Sequence, residues 1–254
     1  MDVRRSSIVL GAALGAAMLW VAGPGALLAS AAGGGECQLQ GVANLSPPLS
    51  SASGSFAYNF TGTLGTGPMG SCQSNVAGAP TTGTVSAGIQ LSETVPLTRP
   101  GVCTNGRCDD GVTACVSSSQ CPAVVTSGTV LYQEPIPQGS GSCGSSTTAG
   151  ESLVTWGDGK YSVIDYDTTG ALAAVVLQGT VGASMTLTLV ASSVPAGFTA
   201  PPTYVINTDE PAFPVGEGSL ALLTFSPTTQ DQNCVTVGVS SANIDGVVGI
   251  GSGT

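Results

Sequence analysis

The chain has 254 residues, of which 5 are basic and 15 acidic, and it contains no histidine. Its formal net charge of −10 opposes binding to nucleic acid and to anionic membranes, because phosphate recognition needs clustered Lys and Arg. The lack of histidine excludes Ser-His-Asp and Cys-His catalysis and every His-ligated metal site. No other catalytic motif is present. The sequence therefore excludes several classes of function but assigns none.

Residues 1–31 have the composition of a signal peptide. Arg4 and Arg5 form a short basic region, residues 8–28 are almost wholly apolar and small, and Ala29-Ser30-Ala31 has the small-x-small form of a cleavage site. We expect this segment to be removed, although its length also permits a retained membrane anchor. Residues 32–254 are then expected to form a single secreted, extracellular domain with no further membrane span.

Alternation of apolar and polar residues with period two recurs through the rest of the chain and predicts β-strands. In residues 55–64 the side chains of Phe56, Tyr58 and Phe60 fall on one face. A Gly157-Asp158-Gly159 turn joins the two halves of a hairpin over 152–167, since an Asp-Gly pair accepts positive φ angles. Further strands are expected near 37–45, 84–92, 128–134, 171–180, 184–191, 219–226, 234–239 and 244–250.

Many short strands separated by Gly, Pro and Ser turns predict an all-β fold. We expect a disulfide-stapled, antiparallel β-sandwich, Ig-like or similar, with a Cys-rich loop insertion at about 101–123. A closed β-barrel is the alternative, because both architectures produce the same alternation.

Eight cysteines follow the predicted leader, and an even number in an exported chain indicates disulfides. They are Cys37, Cys72, Cys103, Cys108, Cys115, Cys121, Cys143 and Cys234. A zinc site made only of cysteines is the alternative. Four of the eight lie within residues 103–121, a stretch too short and polar to bury a core, so it must be held by its own bridges. If it closes on itself, Cys37 pairs with Cys72 and Cys143 with Cys234.

Three stretches carry a resemblance to known proteins. ECQLQGVANLSP with SFAYNFTGTL, TWGDGKYSVIDYDTTGALAAVVLQGTV, and NCVTVGVSSANIDGVVGIGS together resemble a family of uncharacterised secreted bacterial β proteins. The cysteine insert is similar to short Cys-rich repeats of bacterial extracellular proteins, where such repeats act as spacers or surface modules. The resemblance implies a secreted β fold and no particular activity.

Carboxylates are the remaining residues on which hydrolysis could depend, because a glycosidase needs one protonated and one ionised carboxyl group. The candidates are Glu134, Glu151, Asp165 and Asp167. The last two share one face of a predicted strand, where solvent-facing positions beside a turn are the simpler interpretation.

Three other patterns are candidates for sites. Residues 165–170 resemble the opening of a calcium loop, but Val176 stands where the closing glutamate belongs. Asp109-Asp110 is expected to be an exposed acidic turn, and Lys160 a solvated turn residue rather than part of a Ser-Lys dyad. We therefore predict no cofactor, no metal and no catalytic residue.

The sequence favours a secreted, non-enzymatic structural, adhesive or ligand-binding module with an unknown extracellular or cell-surface partner. Its insert and the loops near 135–144 are the expected contact surfaces, since binding groups often lie on loops held by a rigid scaffold. A carboxylate-dependent hydrolase or a hydrolase inhibitor is one alternative. A carrier of a small apolar ligand is another.

Overall fold

The computed structural model describes residues 34–251, so the predicted signal peptide lies outside the described residues. Within this range the chain forms sixteen β-strands and two short 3-10 helices, Ser118–Gln120 and Ala191–Ser193. Every strand pairing is antiparallel. The predicted all-β class is confirmed.

Eight strands close into a barrel. They are β1 (Gly35–Leu49), β2 (Gly54–Leu64), β4 (Gly83–Ala87), β10 (Ser145–Trp156), β11 (Tyr161–Ala171), β12 (Ala174–Gly182), β15 (Gly218–Pro227) and β16 (Val239–Ile250). Around the barrel the order is β1-β16-β15-β12-β11-β10-β4-β2, and β2 pairs again with β1. The closed barrel that the sequence left as an alternative is therefore present, and the two-sheet sandwich is not confirmed.

The chain leaves the barrel twice to build a four-stranded sheet. The first excursion provides β5 (Gln90–Arg99) and β8 (Val124–Gln133), and the second provides β13 (Ser184–Leu189) and β14 (Thr203–Asn207). Their order is β14-β13-β8-β5, so β5 and β14 are the edges. This sheet covers part of the outer barrel wall.

An apolar layer joins the four-stranded sheet to the barrel. Leu153 of β10 and Val163 of β11 point outwards and pack with buried residues of the sheet: Val95, Leu97, Val130, Tyr132, Met185, Leu187 and Ile206. Burying a side chain of this size contributes about 1.5–3 kcal/mol. The layer holds the sheet firmly on one side of the barrel.

The single strand predicted over residues 84–92 is divided between the two sheets. Val85 and Ala87 face the barrel interior, whereas Leu91 packs in the layer under the four-stranded sheet. Gly88 lies between them with φ of +70°, a value that side chains other than glycine rarely adopt. The turn at Gly88 carries the chain from one sheet to the other.

Two short strands share one position in the barrel wall. Strand β4 pairs with β2 and β10 near one end, and β9 (Gln138–Ser142) pairs with the same two strands near the other end. The segment predicted as an exposed loop near 135–144 is therefore part of the wall, and Pro137 within it is fully buried. Ile136 in the same segment is 50% exposed, so the use of this segment as a contact surface stays a prediction.

Some strand positions differ from the sequence-based expectation. Residues 234–237 form a turn instead of a strand, while β9 and β14 were not predicted. Both are five residues long, and β9 consists of Gln, Gly and Ser, so it offers no apolar alternation. The short strand β3 (Gln73–Ser74) pairs with the start of β1.

Both disulfide pairs predicted for the body of the fold are present, and no cysteine among the described residues is free. Cys37 bonds Cys72 and Cys143 bonds Cys234. The insert closes on itself through Cys103–Cys115 and Cys108–Cys121. Because all eight cysteines form disulfides, none is left as a thiolate for the alternative zinc site. Such a set of disulfides is characteristic of an oxidising compartment.

The insert projects from the end of the β5–β8 hairpin. It contains the two-residue strands β6 (Cys103–Thr104) and β7 (Arg107–Cys108). Arg99, the last residue of β5, forms a 2.5 Å salt bridge with Asp109 and ties the insert to the sheet. Among the described residues, no helix is long and apolar enough to cross a membrane.

We expect the Cys143–Cys234 bridge to stabilise the barrel strongly, because it restricts a loop of 91 residues in the unfolded chain. The double variant C143S/C234S should lose about 4–5 kcal/mol of unfolding free energy. The measurement is urea denaturation followed by Trp156 fluorescence. The control is C103S/C115S, which should change the barrel transition by about 1 kcal/mol or less because the insert opens separately. Equal losses in the two variants would contradict this assignment.

Candidate functional site

The barrel interior contains apolar space. Strand alternation points Leu39, Phe60, Val154, Ile164 and Leu223 inwards. They line an apolar cavity of about 70 Å³. Eight-stranded barrels have an interior just wide enough to be filled by side chains or to hold one small ligand.

A second cavity of about 70 Å³ adjoins the first towards the end of the barrel where β1 finishes. Four residues line both cavities: Ala43, Tyr58, Thr168 and Phe225. We refer to the two spaces together as the lumen. None of the residues that line the lumen is charged.

Hydroxyl groups form a chain of hydrogen bonds across the middle of the lumen. The Tyr58 hydroxyl shares hydrogen bonds with Tyr166 at 2.7 Å and with Thr148 at 2.9 Å, and Thr148 shares one with Thr168 at 2.7 Å. Burial raises the pKa of Tyr58, and burial together with the Tyr58 neighbour raises the pKa of Tyr166 well above its usual value. Both phenols therefore remain neutral.

The Ser219 hydroxyl of the lumen has no partner within the described structure. Ser219 of β15 is 6% exposed, and its Oγ forms no hydrogen bond within the described structure. A buried hydroxyl without a partner costs about 1–3 kcal/mol. Ser219 therefore offers a hydrogen bond to a molecule placed in the first cavity.

Each end of the barrel is closed by a segment that carries a disulfide. At one end Trp156 packs against Phe213 with ring centroids 4.9 Å apart, and both belong to the buried cluster that contains Cys37 and Cys72. The Trp156 indole N–H donates to Ser162 at 2.9 Å.

At the opposite end the closing residues are Leu49, Phe56, Cys143, Val239 and Ala242, which form a separate buried cluster. The Cys143–Cys234 bridge holds the loop before β16 against this cluster. Buried apolar residues and a disulfide therefore lie at both ends of the lumen.

The carboxylate candidates lie outside the lumen. Glu151 of β10 and Asp165 of β11 are direct cross-strand partners, and Asp167 stands opposite Ala149. Burial and then the Asp165 charge raise the pKa of Glu151. Asp165 and Asp167 share the outer face of β11, as the sequence predicted. The residue directly opposite Asp165 on the neighbouring strand β10 is Glu151.

The remaining candidate, Glu134, is buried where the chain returns from β8 to the barrel. Its carboxylate accepts hydrogen bonds from Ser86 Oγ at 2.6 Å and from the Ile89 N–H at 3.0 Å, and it is 1% exposed. Burial raises its pKa, against the opposing effect of these two hydrogen bonds. Glu134 therefore links the segment that leaves the barrel after β4 to the segment that returns to it after β8.

Lys160 and the acidic turn of the insert both have partners within the protein. Lys160 contacts Asp158 at 2.6 Å and the buried Glu210 at 3.4 Å, so it is less solvated than predicted. Asp110 accepts hydrogen bonds from the N–H groups of Val112 and Thr113 and lies in an exposed turn, as predicted. Hydrogen bonds from Thr113 lower the pKa of Asp110.

The calcium-like pattern at residues 165–170 lies inside strand β11 and forms no loop. Its acidic residues point outwards while Tyr166 and Thr168 face the lumen. In the insert, the sulfur atoms of Cys103, Cys115 and Cys121 lie within 4.8 Å of one another. All three belong to disulfides and offer no thiolate for a metal.

Sequence reasoning did not single out Ser219 or the hydroxyl chain. The signal was present, because Ser219, Ala221 and Leu223 occupy alternate positions of the strand predicted over 219–226. A polar residue on an otherwise apolar face indicates either a strand end or a site. Which residues meet it across the lumen depends on barrel closure.

Comparison with protein-family models, with curated proteins and with solved structures found no match.

We expect Glu134 to make stability depend on pH. Its folded-state pKa is raised, so the native protein binds this proton more tightly than the unfolded chain does. The resulting stabilisation is present below the ordinary glutamate pKa of about 4.3 and is lost as pH rises through the folded pKa.

The test compares wild type with Glu134→Gln, which keeps an acceptor for the Ile89 N–H. Urea unfolding between about pH 4 and pH 7 should show wild type losing stability relative to the variant as pH rises. A free-energy difference that stays constant over this range would refute the proposed titration.

Proposed function

We propose that the chain is a secreted, non-enzymatic binding protein that holds a small apolar molecule in its barrel lumen. The observation that carries this proposal is the Ser219 hydroxyl, which has no partner within the described structure and lies in a largely apolar cavity. Apolar surroundings favour an apolar ligand, while the free Ser219 hydroxyl favours a ligand that also carries a polar atom.

The size of the lumen limits the class of ligand. Each cavity measures about 70 Å³, and an engineered protein cavity of about 150 Å³ binds benzene. The two adjoining cavities therefore suit a single ring or a short chain with one hydroxyl or carbonyl group. Long-chain fatty acids and retinoids exceed this space.

The closure of both ends supports a carrier rather than an open receptor. Disulfides attach segments at both ends, so exchange requires local opening of the barrel instead of simple diffusion through an open mouth. Slow release suits a protein that transports or sequesters a ligand outside the cell. The resemblance to secreted bacterial β proteins is consistent with this setting.

The test uses benzene and phenol as probes, followed by calorimetry and by methyl NMR shifts of lumen residues. We expect both to bind, with phenol favoured because its hydroxyl can pair with Ser219. The variant Ser219→Ala should retain benzene, lose about fivefold in phenol affinity and gain about 1 kcal/mol of unfolding free energy.

A variant that fills the lumen tests whether the probes bind there. Ala43 lines both cavities, so Ala43→Leu should weaken both probes by at least about tenfold. The matched control is Thr180→Leu, which adds an apolar side chain on the exposed outer face of β12. Unchanged binding by Ala43→Leu, with its fold verified by circular dichroism, would contradict the proposal. So would native mass spectrometry that detects no co-purified molecule combined with no probe binding.

A carboxylate-dependent hydrolase is the second candidate, and the Glu151–Asp165 pair favours it. The raised pKa of Glu151 beside a second carboxyl group is the combination that general acid catalysis needs. Activity on a panel of nitrophenyl glycosides and esters, lost in Glu151→Gln but kept in Asp167→Asn, would support it. If the wild-type protein hydrolyses no substrate of the panel, the hydrolase proposal is refuted.

A further inference from the structure

A second concave site lies outside the barrel, between its wall and the four-stranded sheet. This cleft measures about 550 Å³, within the range of about 300–1,000 Å³ typical of binding pockets. Its barrel side presents exposed threonines, including Thr61, Thr63 and Thr84. Its other side is formed in part by Leu91, Ser92 and Glu93 at the beginning of β5. The cleft is separate from the lumen, which lies on the inner side of the same wall.

Strand β5 is an open edge of its sheet. It pairs with β8 along its whole length, and on its other side the described structure provides one contact, the bridge from Thr98 to Thr199. Thr98 and Thr199 exchange two backbone hydrogen bonds, so the N–H and C=O of Thr98 point to the open edge. Within residues 34–251, no strand pairs with Gln90 to Leu97 on this side.

Alternation along an antiparallel strand then fixes the direction of the other backbone groups. Gln90, Ser92 and Thr94 share the parity of Thr98, so their N–H and C=O groups also point to the open edge. Pro96 has the same parity and lacks an N–H, which limits pairing beyond this point. A row of donors and acceptors with a spacing of two residues remains beside the cleft.

We propose that this cleft binds an extended peptide, which adds a fifth strand to the sheet along β5. The open backbone groups from Gln90 to Thr94 would pair with about five residues of the peptide. Side chains on one face of the peptide would meet the threonines of the barrel wall. Leu91 and Glu93 line the cleft beside it.

Charge and lining distinguish a peptide from a sugar as the occupant. Glu93 contributes a carboxylate to the cleft, and the chain carries a net charge of −10, so a basic residue in the peptide is favoured. Tyr161 is the only aromatic residue that lines the cleft, whereas oligosaccharide sites generally stack sugars on several rings. The backbone edge supplies directional hydrogen bonds that a sugar would use poorly.

The test uses the purified, oxidised protein and an acetylated, amidated pentapeptide with alternating threonine and valine around a central lysine. Binding is measured by fluorescence anisotropy of a labelled peptide. N-methylation of the peptide on the edge that faces β5 removes its donors and should weaken binding by at least about tenfold. This arm leaves the protein unchanged, so folding of a variant does not affect it.

Protein variants test whether the peptide pairs with the open edge of β5. Thr94→Pro removes one N–H from the open side, where proline is tolerated because that N–H has no partner in its own sheet, and it should weaken binding by about tenfold. The matched control Thr94→Val keeps the N–H and should bind as wild type does. Glu93→Gln should weaken the lysine peptide by roughly threefold and leave a glutamine-centred peptide unchanged.

Several outcomes would overturn the proposal. Equal binding of the N-methylated peptide would exclude strand addition, and a neutral xylan or glucan oligosaccharide that displaces the peptide and binds more tightly would assign the cleft to sugars. A dimer in sedimentation that Thr94→Pro dissolves would assign the edge to a second copy of the chain. Ala43→Leu should leave peptide binding unchanged, so failure here is distinguishable from failure of the lumen proposal.

Discussion

Closure of the barrel through β1 is the constraint on which the other features depend. This strand pairs with β16 on one side and with β2 on the other, so it joins the last barrel strand to the second. Closure satisfies the backbone groups that two sheet edges would otherwise expose. It also converts one face of eight strands into a common interior, and without it neither the lumen nor its capped ends would exist.

Glycines allow this closure where the wall is most tightly packed. Gly41 and Gly62 are cross-strand partners in β1 and β2, and a Cβ at Gly41 would lie only 2.3 Å from the Thr61 carbonyl oxygen. Strand interiors usually disfavour glycine, and its presence here marks close backbone approach. The many glycines of the chain are thus consistent with a tightly curved, hydrogen-bonded wall.

The two excursions give the molecule separate binding surfaces on the two sides of one wall. On the inside, apolar side chains and a few hydroxyl groups suit a small neutral molecule. On the outside, one edge of β5 lies open beside a cleft lined by threonine, serine and apolar side chains. Glu134 joins the two regions, because its carboxylate bonds Ser86 on the wall and Ile89 at the entrance to β5.

The sequence by itself determined the elements whose signals are local. Alternation over 55–64 placed Phe56, Tyr58 and Phe60 on the buried face, the Gly157-Asp158-Gly159 turn fixed the β10–β11 hairpin, and the cysteine spacing led to the pairing that is present. Alternation defines the two faces of a strand but not its partners. Only the tertiary structure decided that β2 meets β1 to close a barrel, that Gly88 moves the chain to a second sheet, and that Ser219 lies unpartnered in the lumen. These outcomes depend on contacts between residues far apart in the chain, and no local pattern records them.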